Sequence, residues 1–542
     1  MKARASVLAS LFLLGASPAS AQLVFDGEVT LDDGVAFSFV SFDVPEGTVE
    51  IEVRHDDMSA ANTLDFGLLD PDGGFRGWGG GNSEPAIVGV DAASRSYRPG
   101  PIPTGTWRVV IGEAAVPEPP GRYHVEVDLR TTATLPAATD RTPYAPVPAL
   151  STGLRWYAGD FHVHSRESGD AQPTLDAIAT FARGRGLDFV ELSDHNTDSQ
   201  VDLVVDAQAR HPALLFVPGV EYTTYQGHAN GVGVTSYVNH LLGVDGFTID
   251  DAVDAIHAQG ALFSINHARL ALGDRCIGCA WEHDVAADRV DALEIGTGGW
   301  EETSHLFTPQ VIQLWDEMLA TGAHVAAIGG SDDHLAGEGG GGFYSPIGNP
   351  VTMVQAEALS VDAILEAVRA GRTVVRLQGP DDPMLELVAR DASGADVSLG
   401  GTVGTTTLTL RATVTGGMGS SVRFVRNGAP LDAVLVDADP FETTLDVDAP
   451  YGDAEDRWRA EVVRARDLRV VTSHLYVTPQ PGSPPDAGPT PSDAGGAGDA
   501  GSGPGVSGGG CGCRLRGEPA SPLAPWALGL AIALLSRRRR GA

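Results

Sequence analysis

Two histidines one residue apart, His162 and His164, close the run Trp156-Tyr157-Ala158-Gly159-Asp160-Phe161. In an extended strand alternate side chains share a face, so both imidazoles point the same way, as a pair gripping one metal ion must. A lone His-x-His is also an ordinary polar strand face, and its meaning depends on the residues C-terminal to it. There, apolar runs end repeatedly in ionisable residues. Residues 187–192 lead into Ser193-Asp194-His195, 214–220 into Glu221, 261–265 into Asn266-His267, and 324–328 into Gly329-Gly330-Ser331-Asp332-Asp333-His334. Ionisable groups bunched at buried strand ends cost free energy unless paired or metal-bound, so the recurrence points to a metal site. Imidazoles with carboxylates suit zinc, manganese or iron.

Those residues need strands to carry them and helices to space the strands. Helical spacing is present at 173–185 (Leu175, Ile178, Phe181, Ala182), 250–259, 309–320 and 361–370. Alternating strands and helices whose strands end in His, Asp or Glu predict an α/β barrel with its site at the carboxyl ends of the strands.

The flanks read differently. Lys2 and Arg4, the apolar stretch 7–14 and Ala19-Ser20-Ala21 have the parts of a secretory signal over residues 1–21. Residues 22–133 and 383–478 show short alternating runs broken by Asp, Gly and Pro, which predicts two β-sandwich domains flanking the barrel. The first groups no ionisable residues at ligand spacing, so it is expected to be structural or binding. Residues 134–154 read as a linker. Residues 479–510 are almost wholly Pro, Gly, Ala, Ser, Thr and Asp, too poor in apolar bulk to fold, and read as a tether. With 542 residues the chain predicts several domains, and its net charge of −35 gives nucleic acid no general attraction. The only lysine is Lys2, which excludes Schiff-base and P-loop lysine chemistry from the mature chain.

The set His162-x-His164, Asp170 after Ser168-Gly169, Ser193-Asp194-His195, Gly219-Val220-Glu221, Asn266-His267 and Gly330-Ser331-Asp332-Asp333-His334 resembles the motifs of the PHP (polymerase and histidinol phosphatase) family. The surroundings of Glu221 and Gly227-His228-Ala229-Asn230 are most similar to its carbaryl-hydrolase-like branch of metallohydrolases. The resemblance covers residues 155–378 and implies a distorted (β/α)7 barrel with two or three divalent metals; paired cations sharing a water set up attack by a bridging hydroxide on phosphorus or a carbonyl carbon, so hydrolysis is the expected outcome. His162 and His164 would bind the first with Asp332 and one oxygen of Glu221. Glu221 would bridge to a second held by His228 and His267, and Asp170, His195 and His334 would hold a third. The substrate implied is a small-molecule phosphoester or a carboxyl or carbamate ester.

Two further residues are candidates for catalysis. Asp194 either orients a ligand imidazole or caps the turn at Asn196 and Thr197, and Arg269 either meets an anionic substrate group or is an ordinary surface arginine. Cys276-x-x-Cys279 is either a zinc or redox pair or a disulfide bracing its loop, as suits an exported chain. Residues 337–342, rich in glycine, are expected to form a mobile lip. His211, His240, His257, His283 and His305 fit no motif. The tail 511–542, with Cys511-Gly512-Cys513, an apolar run at 524–535 and Arg537–Arg540, resembles myxobacterial sorting signals, which implies surface anchoring; a simple membrane anchor is the other reading. A catalytically inactive, surface-anchored polysaccharide-binding protein is the alternative to a hydrolase.

Overall fold

The computed structural model describes residues 20–29, 35–273, 276–297, 305–339, 344–450 and 454–479. Most of the expected signal, all of the tether after Pro479, the sorting tail and part of the glycine-rich lip lie outside the described residues. No helix among the described residues is long and apolar enough to cross a membrane.

The alternating N-terminal runs become β1 (Ser20–Val29), β2 (Phe37–Val44), β3 (Glu50–Asp56), β4 (Thr63–Leu69), β5 (Phe75–Gly80), β6 (Ala86–Gly89), β7 (Gly105–Ala115) and β8 (Gly121–Arg130). They form two four-stranded sheets, ordered β1-β8-β3-β6 and β2-β7-β4-β5. The period of two sends Val40, Phe42 and Val44 of β2 inward while Ser41 and Asp43 face water. Trp107, Val109 and Ile111 of β7 meet Ile51, Val53, Val125 and Val127 in one core.

The central region contains β9 (Thr152–Val163), α1 (Leu175–Gly184), β10 (Phe189–Leu192), α2 (Val201–Arg210), β11 (Leu215–Val217), β12 (Gly219–Thr224), β13 (Gly227–Val232), α3 (Ile249–Ala258), β14 (Leu262–Ile265), β15 (Ala292–Thr297), α4 (His305–Leu319), β16 (Ala326–Gly330), β17 (Val351–Ala358), α5 (Val361–Arg369) and β18 (Thr373–Arg376). Thr174, Thr248 and Ser360 cap α1, α3 and α5 by accepting backbone N–H bonds, which starts each helix where its apolar face begins.

These strands do not form one continuous ladder. One sheet runs β11-β10-β9-β17-β18 and a second β12-β13-β14-β15-β16. They meet through the isolated bridges Val163↔Asp333 and His195↔Glu221, both at candidate ligand segments. The run 214–220 read as one strand is split at Pro218, which has no N–H to give a ladder. Leu215–Val217 stays in the first sheet, and Gly219–Thr224 turns into an antiparallel hairpin with β13. Glu221 therefore sits inside a strand, not at its end.

The C-terminal region is continuous with the first sheet, because β18 pairs antiparallel with Asp467–Thr472. That sheet continues through Asp456–Arg464 and Ser421–Arg426, and faces a second sheet built on Met384–Asp391, Thr407–Thr415 and Phe441–Asp448. Val374 of β18 shares their core with Leu387, Leu410, Trp458 and Val462.

His240 lies where the N-terminal sheets meet the central region. Its ring stands edge-on to Trp78 at 4.5 Å and to Phe75 at 5.3 Å, and Tyr237 Oη lies 2.9 Å from its Nδ1. Burial pushes its pKa down to about 3. Between that value and the ordinary 6.5 the unfolded chain holds a proton that the folded chain refuses, so stability is full above 6.5 and falls as the pH drops. A His240→Leu variant is expected to show a shallower acid limb in urea unfolding, by up to about 1.4 kcal/mol per pH unit.

Candidate metal centre

The two tips of β9 and β16 are tied side by side. Asp332 N–H donates to the His162 carbonyl at 2.9 Å, and His164 N–H to the Asp333 carbonyl at 3.1 Å. Gly330 allows this approach, since a Cβ there would fall 2.3 Å from that of His162. Beneath them the buried Asp160 carboxylate accepts from the N–H groups of His162, Ser331 and Gly348 at 3.1, 3.0 and 2.7 Å. Burial pushes its pKa up to about 6.

Glu221 is fully buried and ringed by imidazoles. His162 Nε2, His228 Nδ1 and His267 Nε2 lie 3.3, 3.3 and 3.2 Å from its Oε1; His195 Nδ1 and His164 Nε2 lie 2.7 and 3.6 Å from its Oε2. Asp332 Oδ1 reaches His162 Nε2 at 3.3 Å and His164 Nε2 at 3.1 Å. Asp170, whose carboxylate is half open to the cavity, places Oδ2 3.4 Å from His195 Nε2 and 3.3 Å from His334 Nε2. The structure thus brings together all nine residues singled out for metal, and all but His162 and His164 line a cavity of about 650 Å³. His267 and Asp332 hold positive φ of 27° and 55°, backbone strain of the kind that persists where a site requires it.

Several of these rings have a further polar partner. His162 Nδ1 lies 2.8 Å from Glu294 Oε2, His164 Nδ1 3.1 Å from Ser168 Oγ, and His267 Nδ1–H donates to the Cys279 carbonyl at 2.9 Å. Thr223 Oγ1 is 2.6 Å from His195 Nδ1. Such outer partners fix ring orientation around metals. Sequence reasoning missed Glu294, Ser168 and Thr223. Glu294 carried a signal: a carboxylate inside the apolar run Ala292-Leu293-Glu294-Ile295 is costly without a partner.

Cys276 and Cys279 are disulfide-bonded and brace the loop that presents the Cys279 carbonyl to His267. Asp194 does not orient an imidazole, nor does its side chain cap Asn196 and Thr197. Both its oxygens are taken by Ser165, from the N–H at 2.6 Å and the hydroxyl at 2.7 Å, so it holds the turn that follows His164. Burial raises its pKa to about 8. Arg269 is half-buried and is not part of the cavity lining. His211 and His257 pair with Asp176 and Asp291, and His283 with Thr224; the His305 side chain is outside the described residues.

The electrostatics favour cations. Burial alone would raise Glu221, but His162, His195 and His228 hold it well below the carboxylate range. Burial alone would lower His162 and His195; Glu221 with Asp332 and Glu294 carries the first well above the imidazole range, and Glu221 with Asp170 the second. Burial and His334 keep His164 down at about 3. Polar atoms are left over as well. His162 Nε2, Glu221 Oε2 and both nitrogens of His228 are buried without a hydrogen bond, each a cost of about 1–3 kcal/mol unless another partner binds them. Nitrogen and carboxylate oxygen donors left over in one spot fit divalent cations. Protons and cations compete for these atoms, so metal uptake is expected to release protons near pH 7 and to weaken as pH falls. Titration calorimetry in buffers of different ionisation enthalpy measures that release.

Behind Glu221 a buried chain steadies it. Asn266 Nδ2 donates to Glu221 Oε1 at 3.0 Å and to Asn230 Oδ1 at 2.7 Å, and Asn230 Nδ2 lies 3.4 Å from Glu191 Oε2. Burial raises the Glu191 pKa well above the carboxylate range, which favours its neutral form. Glu191→Gln is therefore expected to change thermal stability little, whereas Glu191→Ala leaves a cavity beside Asn230, which keeps its bond to the Phe161 carbonyl at 2.7 Å, and costs about 2–4 kcal/mol in denaturant unfolding.

The chain matches no protein-family model and no curated protein. Among solved structures it is similar to a two-domain protein from Bacteroides vulgatus described as containing a predicted PHP-like metal-dependent phosphoesterase. The identity is 19% over 62% of this chain and 100% of that one, with a TM-score of 0.34. A β-glucuronidase from Parabacteroides merdae is 11% identical over 83% of this chain and 65% of that one, at a TM-score of 0.17. At such scores the reading of the site rests on its own geometry.

Proposed function

We propose that this chain is a metal-dependent hydrolase of the PHP type, of the carbaryl-hydrolase-like branch, on a distorted (β/α)7 framework. The observation that carries the reading is the buried Glu221 carboxylate shared among five imidazoles, with Asp332 and Asp170 completing the set on either side. His162, His164, Asp332 and Glu221 hold one cation, Glu221, His228 and His267 a second, and Asp170, His195 and His334 a third. When bound, such cations lower the pKa of a shared water and polarise the phosphoryl or carbonyl oxygen of the substrate. The protein's part is orientation: Glu294, Ser168 and the Cys279 carbonyl aim the rings, Asn266 fixes Glu221, and Asp194 holds the turn after His164. The substrate is a phosphoester or a carboxyl or carbamate ester. Export and surface anchoring rest on residues 1–21 and 511–542.

The test is turnover of a phosphodiester, a phosphomonoester and an aryl ester by the metal-reconstituted chain, beside a His162→Ala, His164→Ala control. Turnover of at least one ester that vanishes in the control is expected. Metal content without turnover of any ester transfers the reading to a surface-binding protein.

A further inference from the structure

One wall of the metal cavity does not come from the central region at all. Thr63 and Asp65 of β4, Trp78 of β5 and the glycines after it line the same cavity as the candidate ligands. Asp65 carries the only carboxylate on that wall among the described residues. Its Oδ2 accepts a hydrogen bond from Tyr225 Oη at 2.8 Å, and no described residue donates to Oδ1. Tyr225 sits at the tip of the β12–β13 hairpin that carries Glu221 and His228, stacked on Phe37 with centroids 5.9 Å apart. Its hydroxyl lies over Gly112, where a Cβ would come within 2.1 Å.

The wall is held rigidly. Arg98 pairs with Asp198 at 2.7 Å, and Ser96 N–H donates to Glu167 at 3.2 Å. Arg141, in the segment read as a linker, pairs with the same Glu167 at 2.9 Å. A side chain on this face therefore keeps its distance from the metal ligands, as specificity requires. The lining also includes the apolar side chains of Leu270, Leu272, Ile277 and Phe307.

We propose that the N-terminal sandwich is the substrate-recognition wall of this site, and that Asp65 Oδ1 accepts a hydrogen bond from a hydroxyl or ammonium group on one arm of the ester. This rests on the hydrolase reading. Tyr225 fixes the carboxylate by occupying its other oxygen. The reacting phosphoryl or acyl centre sits at the ligands, the donor-bearing arm reaches Asp65, and an apolar arm packs on Leu270 and Phe307. A fixed carboxylate also repels a second anionic group on the substrate, which favours diesters and carboxyl esters over phosphomonoesters.

The probes are the ethyl, 2-aminoethyl and 2,3-dihydroxypropyl phenyl phosphodiesters and the corresponding benzoates, assayed with the metal-reconstituted full chain. The wild type is expected to prefer a donor-bearing ester over the ethyl ester by about tenfold or more in kcat/KM, and Asp65→Asn to lose most of that preference. The 2-aminoethyl and dihydroxypropyl arms tell an ammonium from a hydroxyl. A wild type that loads metal and hydrolyses all three alike overturns the proposal alone. So does an Asp65→Asn chain that slows on all three equally, leaving the ratio where it was. If the variant does not fold, the wild-type ratios decide. A chain that binds no divalent metal removes the hydrolase reading and this proposal with it.

Discussion

Replacing Glu221 with glutamine is expected to lower kcat/KM by about a thousandfold or more and to remove metal from the chain. The side chain is fully buried, and both oxygens face imidazole nitrogens at 2.7 to 3.6 Å. An amide presents one oxygen and one NH2 in place of two anionic oxygens. The NH2 cannot coordinate a cation, and the loss of charge leaves the ring of imidazoles without its counter-ion. Glu221→Asp keeps the charge but retracts it by one methylene, so an intermediate loss is expected. Both effects are read together, as metal per chain by elemental analysis and as turnover of the best ester. Retention of both metal and rate in Glu221→Gln would contradict the role assigned to this carboxylate.

Chelation is expected to have the next largest effect. Removing bound metal should abolish turnover and lower the melting temperature, both restored by adding back Mn2+ or Zn2+. A cation present at about a thousand times its dissociation constant adds about 4 kcal/mol of stability to the form that binds it. In a domain of the size of the central region that is a shift of roughly ten degrees. The direction comes from the site: buried nitrogens on His162 and His228 lose their only partner, while Asp332 and Glu221 stay ionised beside rings that must then take up protons. A melting temperature unchanged by chelation and re-addition, measured by scanning calorimetry, would contradict a metal held by these residues.

Much of the site was legible because its residues obey local rules. His162 and His164 share a face by the period of a strand, and His195, His267 and Asp332 come after apolar runs whose composition marks them as buried. The exceptions depend on contacts between residues far apart in the chain. Asp194 has its partner, Ser165, 29 positions away, and nothing in its own neighbourhood favours Ser165 over Asn196. Glu294 lies within a strand and acts through His162, 132 positions earlier. Pro218 was a visible strand breaker whose consequence, two sheets rather than one, depends on how β12 pairs. Asp65 lay in an alternating run with no ionisable cluster, so its place beside the cavity emerges only once Tyr225 of the distant hairpin is docked on it. The continuity of the C-terminal sheet with β18 was likewise invisible, since either strand alone reads as an ordinary edge.

The central claim is that these nine side chains hold metal, and the most direct measurement is the number of metal ions per chain. The full chain, reconstituted with Mn2+ or Zn2+ and dialysed, is expected to retain two or three ions by elemental analysis, and a His162→Ala, His164→Ala chain fewer. No retained ion in the wild-type chain would contradict the claim outright.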